Sequence, residues 1–324
     1  MTGTAEPLEV LTVGRVGVDL YPQQSGVPLA EVRTFEKFLG GTATNVAVAA
    51  ARLGRRSAVL TKVGPDGFGD FVRTALTGFG VSPRYVSTAP GLQTPVVFCA
   101  LRPPADPPLV FYRAPIAPDL TITADEVPWD VVETVPLLWV TGTGVSAESA
   151  RSTQHAILER RARSGHTVLD LDYRPMFWPD AATAARAIGA LLEHVNVVVG
   201  NRSEAEVVVG TADPDEAADR LLDRGVRLAV IKCGSEGVLA ATGDGRWTVP
   251  ACRVDVVCGL GAGDGFGGAL VHGLLSGWQP DRIAAYANAA GAVVVSRLAC
   301  ADAMPTPAEI EAMLCGECAA SQRG

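Results

Sequence analysis

The chain has 324 residues, 48% hydrophobic and 19% charged, with 27 Lys and Arg against 35 Asp and Glu and a formal net charge of −8. At about 150 residues per domain, that length suggests one large domain, or one large and one small, and the apolar share is too high for a disordered chain. The acidic balance argues against a nucleic-acid partner, because binding that backbone depends on clustered Lys and Arg.

Taken in chain order, an apolar run Leu8 to Val13 reads as a strand, followed by a Pro-interrupted stretch, Val16 to Phe38, without helical period. Thr44 to Leu53 reads as a helix, Ala58 to Val63 as a strand and Phe68 to Phe79 as a helix. A second Pro-interrupted stretch spans Thr94 to Arg113. Strands are then expected at Leu137 to Val140, Thr167 to Leu171, Val195 to Val199 and Leu228 to Ile231. Helices between them cover Ala147 to Arg163, Ala181 to Leu192 and Pro214 to Asp223. Trp247 to Val257 is strand-like, and Gly263 to Leu275 and Arg282 to Val295 close the series as helices. Strands apolar on both faces, alternating with helices, indicate an α/β fold with a parallel sheet covered on each side. The two irregular stretches are expected as antiparallel strands forming a flap over the carboxyl edge of that sheet, where such folds bind ligands.

Several classes fall away. The longest apolar runs, such as Val46 to Ala51 and Val96 to Leu101, are six residues, against about 20 for a membrane span. No basic residue precedes an apolar stretch near the N-terminus, so no secretory signal is expected and the expected compartment is the cytoplasm. The seven cysteines, an odd number, read as reduced thiols; Cys315 and Cys318 form a C-x-x-C without a second pair and read as incidental. Arg55-Arg56 and Arg160 to Arg163 read as solvated helix ends. The four histidines are scattered, which disfavours a zinc site, and no P-loop, complete G-x-G-x-x-G or protein-kinase motif is present.

Chemistry concentrates in two Gly-rich passages. Gly259-Leu-Gly-Ala-Gly-Asp264 opens a helix, so the backbone N–H groups of Gly261, Ala262 and Gly263 would form an anion cradle. Asp264, an isolated carboxylate beside that cradle, suits a general base for a hydroxyl attacking phosphate; read structurally, it is a helix-capping Asp. In Gly40-Gly-Thr-Ala-Thr-Asn45, Gly41 lets the backbone approach a small polar ligand and Asn45 can bond hydroxyls with both ends of its amide.

Together these passages resemble the two signatures of the ribokinase-type, or PfkB-type, carbohydrate kinases. Asp19, Val63 to Gly69, Asn201-Arg-Ser-Glu204 and Lys232 to Gly237 occur in the order of that family, and the resemblance runs from about Leu8 to Ile310, leaving 311–324 as a tail. It implies a ribokinase-like three-layer α/β/α sandwich with a mainly parallel central sheet and a small β-strand lid, made by about 16–38 and 94–113. By the same resemblance Asp264 is the base, and Gly261, Ala262 and Gly263 stabilise the transferring phosphoryl group. Asn201 and Glu204 arrange Mg²⁺ and its waters around the phosphates of ATP, Lys232, Gly234 and Gly237 flank the nucleotide, and Asn288 borders the adenine. Alone, Glu204 reads as a helix-surface carboxylate. The family usually carries an Asp that helps hold a monovalent cation where this chain has Cys258, and Gly259 lacks a hydroxyl found nearby, so the K⁺ requirement stays open.

Three further features resemble the branch of the family that phosphorylates 5-dehydro-2-deoxygluconate in inositol catabolism: Gly14-Arg15 through Asp19, Leu169 to Trp178 with its Asp172-Tyr-Arg-Pro175, and Ser296 to Thr306. A sugar-acid substrate carries a carboxylate that Arg binds bidentately, which makes Arg174, Arg15 and Arg113 the candidates. Asp19 would hold sugar hydroxyls rather than a metal, since no second carboxylate accompanies it in the sequence. The alternatives are a 2-keto-3-deoxygluconate kinase, a neutral-sugar kinase such as a fructokinase, a nucleotide-binding dehydrogenase and a non-catalytic sugar sensor. Pairing of lids between two copies is a further expectation from the resemblance.

Overall fold

A computed structural model describes residues 6–24, 26–99 and 109–321. Part of the second expected lid segment, 100–108, and the side chain of Cys318 lie outside the described residues. The strands are β1 (Val10–Val13), β2 (Gly17–Pro22), β3 (Phe35–Gly40), β4 (Ser57–Val63), β5 (Val86–Thr88), β6 (Val96–Cys99), β7 (Leu109–Tyr112), β8 (Leu137–Thr141), β9 (His166–Asp170), β10 (Val197–Asn201), β11 (Leu228–Lys232), β12 (Val238–Thr242) and β13 (Gly245–Val249).

Nine strands form the main sheet in the order β13-β12-β11-β10-β9-β8-β1-β4-β5, parallel from β11 to β5. Alternation along each strand sends side chains to two cores. In β8, Leu138 and Val140 pack with Ile157, Leu169 and Ile188 under the helices Glu148–Arg161 and Ala181–Gly189. Leu137 and Trp139 face the opposite way, toward Val46, Leu270 and Ala287 of the helices Thr42–Arg52, Ala262–Leu275 and Pro280–Val295. This is the expected ribokinase-like three-layer sandwich, and among the described residues no helix is long and apolar enough to cross a membrane.

The lid is a four-stranded sheet ordered β3-β2-β6-β7. Its strands were expected to be antiparallel, but β2 pairs with β6 in parallel, because the whole segment from β3 through β5 intervenes and the chain returns to the lid from the main sheet. Residues on one lid face, Asp19, Tyr21, Val97, Cys99 and Phe111, look toward the main sheet, and Leu20, Phe98, Val110 and Tyr112 alternate onto the other.

Other expectations need revision. The strand expected over Trp247 to Val257 ends at Val249, since Pro250 has no N–H to continue the ladder. The helix Arg202–Val209, implied only by the reading of Glu204, takes definite bounds, and the helix Pro307–Ser321 crosses the expected tail boundary, with Met313 and Leu314 packed on the second core. Arg161 is buried rather than solvated, donating to the carbonyls of Val132 and Glu133 at the end of the helix Trp129–Thr134.

Candidate active site

Two helix N-termini converge at the carboxyl edge of the sheet. Gly261, with φ +82°, caps the helix Ala262–Leu275, a conformation in which a side chain would be strained and would also press on Cys300. The first backbone N–H bonded back into that helix is that of Asp264, to Gly261 O at 3.0 Å. The N–H groups of Gly261, Ala262 and Gly263 therefore stay available at the positive end of the helix dipole. The second helix, Thr42–Arg52, packs so closely that a Cβ on Gly268 would lie 2.2 Å from that of Ala49. That close approach brings Asn45 Nδ2 to donate to Asp264 Oδ2 at 2.7 Å, leaving the buried Asn45 Oδ1 without a partner.

The first helix terminus divides two clefts. One, with about 580 Å³ of empty space, is lined by Asp19, Gly41, Asn45, Gly261, Asp264 and Cys300, and by all three candidate arginines, Arg15, Arg113 and Arg174. The other, of about 1450 Å³, lies against Ala262 and Gly263 and is lined by Lys232, Gly234, Gly237, Cys252, Phe266 and Asn288. Of the sequence-derived candidates, only Asn201 and Glu204 line neither cleft.

Glu204 is buried rather than a surface carboxylate, and it accepts the Asn201 N–H at 2.7 Å while Asn201 Oδ1 accepts the Glu204 N–H at 2.9 Å. This reciprocal capping box fixes both side chains at the head of their helix. Asn288 Nδ2 donates to the Pro250 carbonyl at 2.7 Å, which ties down the wall formed by the irregular chain after β13.

Asp264 is not the isolated carboxylate expected, nor does Asp19 stand alone. Burial, with Asp172 adding its charge, pushes the Asp264 carboxyl up to about 6 although Asn45 donates to it. Burial also raises Asp19 to about 7, with Arg15 opposing and Asp264 reinforcing the shift. Two further acids, Asp170 at the end of β9 and Asp172 just after it, belong to the same charge cluster; the sequence marks the Asp172 motif as a resemblance but assigns neither acid a role. Burial raises Asp170, opposed by Lys232 and reinforced by Asp172 and Glu204. Burial acts on Asp172 in the same direction, but the guanidiniums of Arg15 and Arg174 outweigh it and hold its carboxyl below the ordinary range. Lys232 is driven down by burial and more than restored by Glu204, Asp170 and Asp264, so it stays charged.

Arg113 is committed to a two-oxygen pair with Asp119 at 2.9 and 3.0 Å, whereas Arg174 meets Asp172 through Nε alone at 3.0 Å. Arg15 and Arg113 both lie over the Phe177 ring, 5.5 and 5.2 Å from its centroid. Among the described residues no group of three or more acidic, His or Cys side chains could hold a metal alone. Glu204 and the crowded Asp170 fit a hydrated Mg²⁺ shared with phosphate oxygens, which takes one or two carboxylates and keeps its waters. Cys258 offers no carboxylate, and its surroundings include Tyr21, Val97, Cys99 and Ala299, so its side chain supplies no oxygen ligand to a monovalent cation.

Comparison with known proteins accords with this geometry. Residues 8–307 match the pfkB family of carbohydrate kinases. The 5-dehydro-2-deoxygluconokinase of Geobacillus thermodenitrificans is 31% identical over 313 residues, covering 94% of this chain and 93% of that one. Among solved structures, a PfkB protein from Polaromonas sp. JS666 superposes with a TM-score of 0.84 at 25% identity, over 94% of this chain and all of that one. A fructokinase double mutant from Vibrio cholerae O395, in its fructose, ADP and potassium ion bound form, gives a TM-score of 0.84 at 26% identity, over 95% of this chain and 98% of that one.

Proposed function

The chain belongs to the pfkB family of carbohydrate kinases, and from that premise we propose that it transfers the γ-phosphoryl group of MgATP to the C6 hydroxyl of 5-dehydro-2-deoxy-D-gluconate, giving the 6-phosphate and ADP. The observation that carries this reading is the helix terminus at Gly261 to Asp264, which presents a carboxylate and a nest of N–H groups between a small cleft lined by guanidiniums and a larger one.

In this mechanism Asp264 accepts the C6 hydroxyl proton as the sugar oxygen attacks the γ-phosphorus and the bond to the ADP oxygen breaks. The N–H groups of Gly261, Ala262 and Gly263 bear the charge of the transferring group, with the Lys232 ammonium beside them; a Cβ on Gly263 would stand 3.2 Å from Lys232 Nζ. Asn45 orients the base through Nδ2 and keeps Oδ1 for a sugar hydroxyl, Asp19 takes further hydroxyls across the cleft, and Arg174 and Arg15 hold the carboxylate. Mg²⁺ arriving with ATP, held through water by Glu204, would neutralise phosphate charge. The lid face carrying Asp19, Val97 and Phe111 excludes water, which competes for the phosphoryl group. ATP as donor and reduced thiols suit the cytoplasm. The outer lid face carries an edge-to-face series of Phe35, Phe98 and Tyr112, with centroids 5.2 and 5.3 Å apart, which supports pairing of lids in a homodimer.

The test is ADP release from MgATP against 5-dehydro-2-deoxygluconate, 2-keto-3-deoxygluconate, fructose and ribose. Preference for the first, lost in Asp264→Asn, is expected. Preference for fructose, the ligand of the Vibrio cholerae relative, would discard the sugar-acid assignment and keep the phosphotransfer chemistry.

A further inference from the structure

We infer that Asp172 is the positioning residue that sets preference for an anionic sugar, by clamping Arg15 and Arg174 so that their free N–H groups converge on the small cleft. The proposal rests on the sugar-acid reading above and names the device behind it.

The side chain of Asp172 is only 1% exposed, yet two of its partners, Arg15 and Arg174, line the small cleft. Its Oδ2 accepts from Arg15 Nη2 at 3.2 Å and from Thr143 Oγ1 at 2.6 Å, and its Oδ1 accepts from Arg174 Nε at 3.0 Å. Thr143 Oγ1 in turn accepts from Arg15 Nε at 3.2 Å, so one carboxylate and one hydroxyl hold the Arg15 fork, with Thr42 as a further acceptor. Each guanidinium is thus gripped by part of its donor set, while both Arg15 and Arg174 line the small cleft. What remains, both terminal nitrogens of Arg174 and Nη1 of Arg15, has no hydrogen-bond partner among the described residues.

The backbone is built to hold this clamp. Asp172 has φ +30°, a positive value that a short polar side chain tolerates better than most, and its N–H donates to Asp170 Oδ1 at 3.3 Å. Two unclamped guanidiniums side by side would repel and sample many rotamers. One buried carboxylate between them removes the repulsion, leaves the trio with a net single positive charge, and fixes two planar donor sets toward one ligand. A second anion of carboxylate size matches that arrangement, and a neutral sugar does not need it.

Charge alone and positioning predict opposite signs, which makes the proposal testable. Deleting the Asp172 charge raises the positive potential of the cleft and by itself would tighten binding of an anion. Loss of the clamp would weaken it. Asp172→Asn keeps the shape but places an amide N–H₂ against at least one guanidinium donor. The expected result is a KM for 5-dehydro-2-deoxygluconate raised about ten- to hundredfold, as for a lost buried charge-assisted hydrogen bond, with KM for fructose changed far less. An unchanged or lower KM for the sugar acid in a folded Asp172→Asn protein would overturn the proposal. Thr143→Val, which removes the shared hydroxyl, should move the same ratio in the same direction, and Thr143→Ser should restore it; equal ratios in both would also overturn it. These variants answer the question even if Asp172→Asn does not fold. If the unmodified protein prefers fructose, the sugar-acid reading fails and this proposal falls with it; if it prefers the sugar acid and the variants keep that preference, only the clamp is wrong.

Discussion

The two clefts on either side of the Gly261 to Asp264 terminus are built on different principles. The smaller is wired with ionisable side chains from distant parts of the chain: Arg15 after β1, Asp19 on β2, Arg113 after β7, Arg174 after β9 with its partner Asp172, and Asp264. Nearly all of them are tied to one another or to a buried partner. The larger has walls of Val238, Val256, Phe266, Ala292 and Val295, with Lys232 as its half-buried ammonium and Asn288 engaged with the backbone. Fixed charges discriminate between ligands, because a wrong ligand leaves them unpaired, whereas apolar walls and backbone groups bind by area and tolerate change. Damage to the first cleft should therefore alter turnover and choice of sugar. Damage to the second should mainly alter affinity for the nucleotide.

The largest effect expected is that of Asp264→Asn, a loss of about 10²- to 10⁴-fold in kcat with little change in either KM, measured by steady-state ADP release. A variant with near-normal turnover would break the comparison at its centre. Next, Arg174→Lys keeps the charge but not the planar fork, so KM for the sugar acid should rise about tenfold while KM for ATP stays put. Equal changes in both would mean that the clefts are not separable.

The acid limb of kcat/KM sharpens the same point. Below about 6 Asp264 carries a proton and cannot accept another, so the rate should fall up to tenfold per pH unit beneath that value, a limb absent from the residual activity of Asp264→Asn. Stability should run the other way. A carboxyl that titrates at about 6 when folded against 3.8 otherwise makes the folded chain bind its proton more tightly, so stability is lost as pH rises between those values. Thermal unfolding should show Asp264→Asn more stable than the unmodified protein at pH 7 and the advantage gone near pH 4. The smallest effect should be that of Asn288→Ala, which frees the Pro250 wall; KM for ATP should rise a few-fold, about the worth of one hydrogen bond, with sugar KM unchanged.

Much of this protein is legible in its sequence. Alternating apolar strands and amphipathic helices, together with two Gly-rich passages in the right order, determine the parallel sheet, the lid and the anion cradle, because these depend on local periodicity and on backbone that only glycine permits. Asp264 and Asn45 stand out as candidates in those two passages, whereas Arg174 is singled out by the resemblance to a sugar-acid branch of the family. What the sequence could not decide is which charges share a neighbourhood. Asp19 and Asp264 lie 245 residues apart in the chain, and Asp264 raises the Asp19 carboxyl only because the lid strand folds over the helix terminus at Gly261. Glu204 turns from a surface acid into a buried cap once its helix docks, and Arg161 from a solvated end into an internal one. Asp172 is visible in the sequence only as part of a motif, without a role; its place as the tie between two arginines exists only where β1, β8 and β9 bring Arg15, Thr143 and Arg174 together, since electrostatic energy depends on distances through space that tertiary packing alone sets.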